Sequence, residues 1–256
     1  MIILNVSGYK TGGTWLQNIL NVGTSNFHLM RDTEELKEID TEKEYFKLPI
    51  QFGSLENFKK LNNAISLSKL AGRFDVLEKV HFYSNEGSLV SLLAKSNIRY
   101  FIMVRDYRDL IVSRFYHEIA SGRVSGDFSE FFTANAKKFL IEAHNYNAFW
   151  MKVKQHTPNV HIIDYANLKN DYNNEINKIR VFLDGTNFSC DKVAHLNNIK
   201  NNRKFHTDKW MDAFKSAGGD FYRKGIIGDY KNYFSEIQLK EFDTWLTDLK
   251  RDHSEK

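Results

Sequence analysis

Apolar runs alternate with helix-like patterns along most of the chain. Residues 2–7 form a run that predicts a buried strand. Later runs predict three further strands, over 75–80, 100–104 and 160–164. The run 100–104 is apolar throughout, as expected of a strand that is covered on both faces. Strands that alternate with helices predict an α/β domain built on a parallel sheet.

Apolar positions at helical spacing fill the segments between these strands. The helix after the first strand is predicted from Trp15, Leu16, Ile19, Leu20 and Val22. A second helix carries Leu89, Leu92 and Leu93 on one face. Further helices are predicted over 106–121, 135–155, 172–183 and 235–250. The polar stretch 30–72 predicts short helices and loops, and the absence of a linker predicts a single domain over 1–256.

Composition narrows the class of protein. The chain has 256 residues, 42% hydrophobic and 27% charged, which is typical of an ordered globular domain. The net charge of +4 is too small for a general nucleic-acid binder, but it suits an anionic small ligand if the basic residues cluster. Cys190 is the single cysteine, so an intrachain disulfide and a Cys-rich zinc site are excluded, and a packed or half-exposed thiol is expected. No apolar stretch approaches the roughly 18 residues of a membrane span, so we expect a cytoplasmic protein.

A glycine-rich turn follows the first predicted strand, in the segment Gly8-Tyr9-Lys10-Thr11-Gly12-Gly13-Thr14-Trp15. Such a turn presents backbone N–H groups to a phosphate, and the helix that follows adds the positive end of its dipole. Thr14 stands where a Walker A loop has its lysine, and Lys10 lies inside the loop instead. An Mg-ATP site is therefore disfavoured. The alternative interpretation is a tight strand-to-helix turn without a ligand.

Two further segments combine basic residues with positions that suit an anion. Arg105 follows the third predicted strand, at the edge where open α/β sheets bind ligands, and Ser113 lies about two helical turns further on. Arg105 and Asp106 could equally form a helix cap and a salt bridge. The segment Arg223-Lys224-Gly225, followed by Gly228, predicts a basic loop. Its alternative interpretation is a solvated surface turn.

Together these motifs resemble those of the cytosolic sulfotransferases that use 3′-phosphoadenosine 5′-phosphosulfate (PAPS). The first segment is similar to the family's Y-P-K-S-G-T-T-W loop. The family's R-x-x-x-D-x-x-V-S motif is matched by Arg105, Asp109, Val112 and Ser113. Its R-K-G-x-x-G-D-W-K-N-x-F motif is matched by Arg223, Lys224, Gly225, Gly228, Asp229, Lys231, Asn232 and Phe234. The resemblance runs in order from 3 to 245, and it implies a three-layer fold of the P-loop NTPase type, with helices flanking a central parallel sheet.

The resemblance also assigns roles in binding the donor. The 5′-phosphate is expected at Lys10, Thr11, Gly12, Gly13 and Thr14. Trp15 is expected to stack on adenine, with Tyr165 helping to hold that ring. The 3′-phosphate is expected at Arg105, Ser113, Arg223 and Lys224, with Gly225 in the same loop. This chain departs from the family at Tyr9, which replaces the loop proline, at Gly13, which replaces a threonine, and at Leu196, which stands for an adenine-stacking phenylalanine.

Lys79-Val80-His81 is similar to the K-T-H segment of the family, in which the histidine is the catalytic base. The resemblance therefore implies His81 as general base, with Lys10 and Lys79 stabilising the charge that develops during transfer. Four other histidines are interpreted as packed or exposed residues of helices and strands, namely His117, His144, His156 and His161. No metal-ligand spacing occurs, so no metal is expected.

The acceptor is expected to be a small molecule of secondary metabolism with a hydroxyl or amine group. Its pocket is implied at Phe82, Tyr83, Tyr116 and His117, although core packing explains these residues nearly as well. A carbohydrate or peptide acceptor is the alternative. A P-loop kinase for small metabolites and a non-catalytic module that binds anionic nucleotides remain rival functions. Nucleic-acid and membrane partners are not expected. A homodimer is possible, although the family's dimer motif has no clear counterpart.

Overall fold

A computed structural model describes residues 2–24, 28–29, 76–79, 87–96, 98–184, 187–202 and 225–254. These residues form two compact units, one made of the described residues within 1–104 and 149–197 and the other of those within 105–148 and 198–256. The single domain over 1–256 stays a prediction. The stretch 30–72 lies outside the described residues.

The first unit is built on a parallel sheet of five strands. The strands are β1 (Ile2–Asn5), β2 (His28–Leu29), β3 (Val76–Lys79), β4 (Ile98–Val104) and β5 (Val160–Asp164). Their order across the sheet is β2-β3-β1-β4-β5, and all neighbours run parallel. After β1, the strands β2 and β3 lie on one side of it, and the later strands β4 and β5 lie on the other. Ligands of open α/β sheets bind at the carboxyl ends of strands where the winding reverses, and here that point is the end of β1.

Helices follow most of these strands. They are α1 (Gly13–Gly23), α2 (Gly87–Ala94), α3 (Tyr107–Ala120), α4 (Phe128–Phe131), α5 (Lys137–His156), α6 (Tyr165–Asn170), α7 (Tyr172–Phe182), α8 (Cys190–Val193), α9 (Ile199–Asn202) and α10 (Glu236–Ser254). A π-helical turn, Phe132–Ala136, joins α4 to α5. Two 3₁₀ turns cover Ala194–Asn197 and Asp229–Asn232. Within the described ranges, no helix has both the length and the apolar character needed to cross a membrane.

Each unit has its own core. In the first unit α1, α6 and α7 contribute side chains that pack with those of β1, β4 and β5, among them Leu16, Ile19, Phe101, Ile163, Leu168 and Ile179. In the second unit α3, α4, α5 and α10 share a core that is rich in aromatic rings, including Phe115, Phe128, Phe131, Phe132, Phe234 and Phe242. Cys190 is half-buried and packs against the first core, as expected.

The parallel sheet and the main helices confirm the sequence-based prediction. The short elements β2, α4, α8 and α9, each of two to four residues, were not predicted. Leu89, Leu92 and Leu93 lie on α2 at the predicted helical spacing. Leu92 is 43% exposed whereas the other two are fully buried, so it lies at the margin of the buried face. The helix α6 was not predicted. Its six residues are too few to show helical periodicity, and it begins because the Asp164 side chain accepts a hydrogen bond from the Asn167 N–H.

Candidate active site

The glycine-rich turn leaves β1 and enters α1 in an unusual backbone conformation. Lys10 has a φ of 62°, the one positive φ of a non-glycine residue among those described. Gly12, the N-cap of α1, has a φ of 107°. Left-handed residues in such a loop are typical of anion-binding nests, in which backbone N–H groups line a concave surface. A residue other than glycine rarely adopts the left-handed backbone conformation of Lys10, and backbone strain of this kind concentrates at functional sites.

Gly12 is also closely packed. A Cβ atom at this position would lie 2.5 Å from Sδ of Met103 and 2.8 Å from a ring carbon of Tyr165. The left-handed backbone and this lack of space both require glycine. Tyr165, the first residue of α6, is therefore placed directly against the loop. The structure brings together two of the predicted donor-binding segments, which are 150 residues apart in the chain.

Thr11 forms a hydrogen bond within the loop. Its hydroxyl donates a hydrogen bond of 2.9 Å to the carbonyl oxygen of Gly8, and its side chain is buried. The neighbouring side chains of Lys10 and Thr14 are half-buried. The backbone of the turn and the ammonium group of Lys10 are thus the clearest anion-binding features of the segment.

Trp15 lies on the first turn of α1 and is surrounded by aromatic rings on one side. Its indole stacks on Tyr172, with ring centroids 6.1 Å apart and planes 12° from parallel, and meets the edge of Tyr165 at 5.6 Å. The indole N–H donates to the carbonyl oxygen of Leu196 at 2.9 Å. These contacts fix the orientation of the half-buried Trp15 ring.

Tyr172 and Leu196, the two residues that hold the Trp15 ring, are themselves fixed in place by their surroundings. Burial raises the pKa of the Tyr172 phenol, which stays neutral and donates to the Val193 carbonyl at 2.8 Å. The Leu196 side chain is fully buried in the core. Leu196 therefore supports Trp15 through its carbonyl oxygen and does not offer its side chain as a second stacking surface.

The strand register places Lys79 near the start of the loop. Lys79 ends β3 and is the parallel partner of Asn5, which ends β1 three residues before Gly8. Parallel strands end at the same edge of a sheet, so Lys79 belongs to the edge from which the loop leaves. The predicted base His81 and the predicted acceptor residues Phe82 and Tyr83 lie outside the described residues.

In the second unit, Arg105 is followed by the N-cap of α3. Asp106 is the N-cap of this helix, and its side chain accepts hydrogen bonds from the N–H groups of Arg108 at 2.8 Å and of Asp109 at 3.4 Å. Arg108 pairs with Asp106 at 3.2 Å and with Asp243 at 2.6 Å. Asp106 thus forms the helix cap considered from the sequence, and it also pairs with Arg108. Arg105 and Ser113 are both half-buried.

Asp109 joins the second and third motifs. Its carboxylate accepts hydrogen bonds from the backbone N–H of Gly228 at 2.7 Å and of Tyr230 at 3.0 Å, and it is 2% exposed. Gly225 and Gly228 have φ values of 60° and 77°, which glycine adopts without strain. The two motifs predicted to hold the 3′-phosphate are thus connected by a buried charged group. Arg223 and Lys224 lie outside the described residues.

Tyr116 and His117 lie on α3 in the same unit. The Tyr116 hydroxyl is 3.0 Å from the Tyr233 hydroxyl, and the two rings meet edge to face at 5.9 Å. The Phe115 ring packs against Tyr116 at 5.0 Å. The His117 carbonyl accepts a hydrogen bond from the Ser121 hydroxyl at 2.7 Å. Tyr233, which sequence reasoning passed over, is the phenol partner of a predicted acceptor residue.

Sequence reasoning also missed the polar residues beneath the glycine loop. Asn5 and Ser7 are fully buried and hydrogen-bonded to each other, although the run 2–7 was interpreted as a continuous apolar strand. The signal was available, because a polar side chain within a buried strand needs hydrogen-bond partners. Tyr172 carried no comparable signal, since its position under Trp15 depends on how α7 packs.

Comparison with known proteins decides the family. The protein-family model that describes the sulfotransferase domain matches residues 2–253 of this chain. The chain belongs to the sulfotransferase family. This confirms the family and the class of enzyme that the three motifs predicted.

Two sulfotransferases illustrate the likeness in sequence. The chain is 25% identical to mouse sulfotransferase 1B1 over 252 residues, a match that covers 91% of this chain and 77% of the relative. It is 27% identical to luciferin sulfotransferase of Photinus pyralis over 265 residues, which covers 95% of this chain and 70% of the relative.

A solved sulfotransferase shows the same fold. The crystal structure of mouse sulfotransferase SULT7A1, complexed with PAP, aligns with a TM-score of 0.62 at 20% identity. The alignment covers 98% of this chain and 83% of that chain. The expected fold class, a P-loop-like α/β fold with a parallel sheet flanked by helices, is thereby confirmed.

Proposed function

We propose that this sulfotransferase transfers a sulfuryl group from PAPS to a hydroxyl or amine group of a small-molecule acceptor. The observation that carries the proposal is the Gly8–Gly13 loop, with left-handed backbone at Lys10 and Gly12 at the N-terminus of α1. A helix N-terminus and an anion-binding nest together favour a bound phosphate. The product of the donor is adenosine 3′,5′-bisphosphate (PAP), which is the ligand of the solved mouse relative.

The 5′-phosphate end of the donor binds the backbone of 10–14 and the Lys10 ammonium group. Adenine stacks on Trp15, on the face opposite Tyr172. Support comes from the contacts that hold this ring, since Tyr172 covers one face and the Leu196 carbonyl fixes the indole N–H. A tryptophan whose orientation is already fixed loses little conformational entropy when a base stacks on it.

The 3′-phosphate is bound by Arg105, Ser113, Arg223 and Lys224, with the backbone at Gly225. Arginine offers two parallel donors to a phosphate, and it stays protonated at every physiological pH. The hydrogen bonds from Gly228 and Tyr230 to Asp109 support this assignment, because they connect the helix of Arg105 and Ser113 to the loop that follows Lys224.

His81 acts as the general base, and Lys10 and Lys79 stabilise negative charge. PAPS supplies the sulfuryl group, whose bond to the 5′-phosphate oxygen breaks as the acceptor oxygen or nitrogen bonds to sulfur. The proton of the acceptor goes to the imidazole of His81, whose ordinary pKa suits this role near neutral pH. The two lysines neutralise charge on the sulfuryl oxygens and on the departing PAP. No metal takes part in this scheme.

The acceptor binds near Phe82, Tyr83, Tyr116 and His117. Tyr116 supports an acceptor with an aromatic ring or a hydroxyl group, since its hydroxyl pairs with that of Tyr233 and its ring packs against Phe115. The name of the Photinus relative also indicates a small organic acceptor, luciferin. Sulfation of a carbohydrate or peptide is the alternative acceptor class. The cytoplasmic location and the possible homodimer stay predictions.

Calorimetric titration followed by a transfer assay tests the function. We expect PAP to bind far more tightly than AMP or ATP, and we expect labelled sulfate to move from PAPS to members of a panel of phenols, alcohols and amines. Tight binding of Mg-ATP without binding of PAP would favour the kinase alternative. PAP binding without transfer to small molecules, carbohydrates or peptides would leave a nucleotide-binding module.

A further inference from the structure

Asn5 makes a complete set of hydrogen bonds beneath the glycine loop. Its Nδ2 donates to the Gly13 carbonyl at 2.7 Å and to Oε1 of Gln17 at 3.1 Å. Its Oδ1 accepts from the Ser7 hydroxyl at 2.6 Å and from the Ser7 backbone N–H at 3.3 Å. A side-chain amide has two donors and two acceptor lone pairs, so every site is used. Asn5 is fully buried, and its orientation is therefore determined by these partners.

Two of the three partners of Asn5, Ser7 and Gly13, lie at the two ends of the loop. Ser7 directly precedes Gly8, and Gly13 is the residue with which α1 begins. The Ser7 hydroxyl also accepts a hydrogen bond of 3.0 Å from the N–H of Met103, which links the entry of the loop to β4. One side chain thus holds both ends of the loop at a set separation and connects them to the sheet.

The loop needs such a constraint. Three of its six residues are glycines, Tyr9 stands where the family has proline, and Lys10 adopts a left-handed conformation. Glycines add conformational entropy to the unconstrained loop, and a proline would have removed some of it. Without an external constraint this backbone would sample forms in which its N–H groups no longer converge.

We propose that Asn5 is a positioning residue that holds the Gly8–Gly13 loop in the form that binds the 5′-phosphate end of the donor. This rests on the proposed function, and it adds a residue that does not touch the donor. Its effect passes through the carbonyl of Gly13 and the backbone of Ser7. Asn5 therefore determines how much affinity the 5′-phosphate contributes, whereas the 3′-phosphate contribution is independent of it.

Two nucleotides that differ only in the 5′-phosphate make the test. PAP carries this group, and adenosine 3′-monophosphate lacks it. Leucine is similar in size to asparagine but apolar. In Asn5→Leu we expect the ratio of the dissociation constant of adenosine 3′-monophosphate to that of PAP to fall about tenfold or more, equivalent to about 1.4 kcal/mol. Binding of adenosine 3′-monophosphate should change less than about twofold, which is under about 0.4 kcal/mol. Calorimetry gives both constants.

A matched control separates positioning from stability. Thr24 is a buried polar residue at the other end of α1, where its hydroxyl donates to the Leu20 carbonyl at 2.5 Å. Thr24→Val should lower the melting temperature and leave the ratio unchanged. Asn5→Thr, a good strand former whose single hydroxyl bonds only one end of the loop, is judged by the same ratio and serves if Asn5→Leu does not fold.

The outcomes are distinguishable. An unchanged ratio in the folded Asn5 variants, with wild-type protein that does discriminate the two nucleotides, overturns the positioning role and leaves the proposed function intact. A wild-type protein that binds both nucleotides equally overturns the 5′-phosphate assignment itself, and the positioning role falls with it. A reduced ratio in the Asn5 variants alone supports the proposal.

Discussion

The carboxylate of Asp109 accepts a hydrogen bond of 2.7 Å from the backbone N–H of Gly228, 119 residues further along the chain. A second bond, from Tyr230, leaves the two carboxylate oxygens each with a backbone partner. Both bonds are charge-assisted, and Asp109 is 2% exposed, so they are protected from water. The motif that begins at Arg105 and the loop that begins at Arg223 consequently depend on one another.

Replacing Asp109 by Asn should weaken binding of the 3′-phosphate. The amide accepts with one oxygen only, and its NH₂ group opposes one of the two backbone N–H donors. A hydrogen bond to a charged group contributes about 1.5–3 kcal/mol, so we expect PAP affinity to fall by one to two decades. AMP, which has no 3′-phosphate, should bind nearly as before. Titration with both nucleotides checks this.

Asp106→Ala is the matched control for Asp109. Asp106 caps the same helix through the N–H groups of Arg108 and Asp109, and its loss costs about 1 kcal/mol of stability. The melting temperature should fall while the preference for PAP over AMP is kept. Equal loss of that preference in both variants would show that α3 as a whole, and not the Asp109 contact, determines the affinity.

The sequence predicted the elements that carry strong local patterns. Four of the five strands were predicted from runs of mostly apolar residues, and the helices α3, α5, α7 and α10 were predicted from apolar positions at helical spacing. The exposure of Leu92 was not predictable, because a helix face of three leucines has the same pattern whether or not its margin is covered. The contacts of Asn5 beneath the loop and of Tyr172 under Trp15 could not be predicted in this way. Asn5 and Tyr172 act through tertiary contacts, and no local pattern reports which side chains will meet.

The motifs correctly identified the family, but the contacts between the motifs were not predicted. Asp109 was counted as one matching letter, and its bonds to Gly228 and Tyr230 appear only when the helix and the loop are folded. Similarly, Leu196 was compared with a stacking phenylalanine, whereas its carbonyl oxygen accepts from Trp15. Sequence comparison aligns side chains, and a backbone acceptor has no side chain to align.

Arg105→Ala should weaken PAP binding without unfolding the protein. As a ligand contact, Arg105 contributes about 1.5–3 kcal/mol to binding, or one to two decades in the dissociation constant. Arg108→Ala provides the comparison, since Arg108 pairs with Asp106 and Asp243 and has no assigned part in binding. An Arg105 variant that unfolds readily yet retains PAP affinity would assign Arg105 to the structure of the protein instead.

His81→Ala should reduce turnover by about two to four decades, the usual contribution of a positioned general base. PAP affinity should be unchanged, because the phosphates are bound by other residues. The acid limb of the wild-type rate profile should report a group that titrates near neutral pH, and this limb should disappear in the variant. An alcohol or amine acceptor is required, since an acidic phenol ionises without help. Wild-type turnover by the variant on such an acceptor would remove His81 from the mechanism.

His161 should make the stability of the protein sensitive to acid. The ring lies in β5, stacked on Phe182 at 5.0 Å and against the edge of Phe101 at 5.7 Å. Burial, together with the charges of Lys154 and Lys178, lowers the pKa of His161 from 6.5 to about 4. Among the described residues its Nε2 has no hydrogen-bond partner that would stabilise the charged form.

The direction of this pH dependence follows from the pKa values of His161 in the folded and the unfolded protein. Well above pH 6.5 the imidazole is neutral in the folded and unfolded states, and it contributes no pH dependence there. As the pH falls from 6.5 to 4, the unfolded chain binds a proton that the folded protein does not, so the free energy of unfolding decreases. The full difference corresponds to at most about 3 kcal/mol, and partial exposure of the ring to solvent reduces it.

His161→Phe removes this titration and keeps an aromatic ring between Phe101 and Phe182. We expect the difference in unfolding free energy between the variant and the wild-type protein to grow by about 1–3 kcal/mol in favour of the variant as the pH falls from 7 to 4. Urea unfolding at several pH values measures it. His156→Gln is the control for the loss of a histidine, because His156 is exposed at the end of α5. Parallel pH profiles for His161→Phe and the wild-type protein would show that His161 is protonated equally in both states.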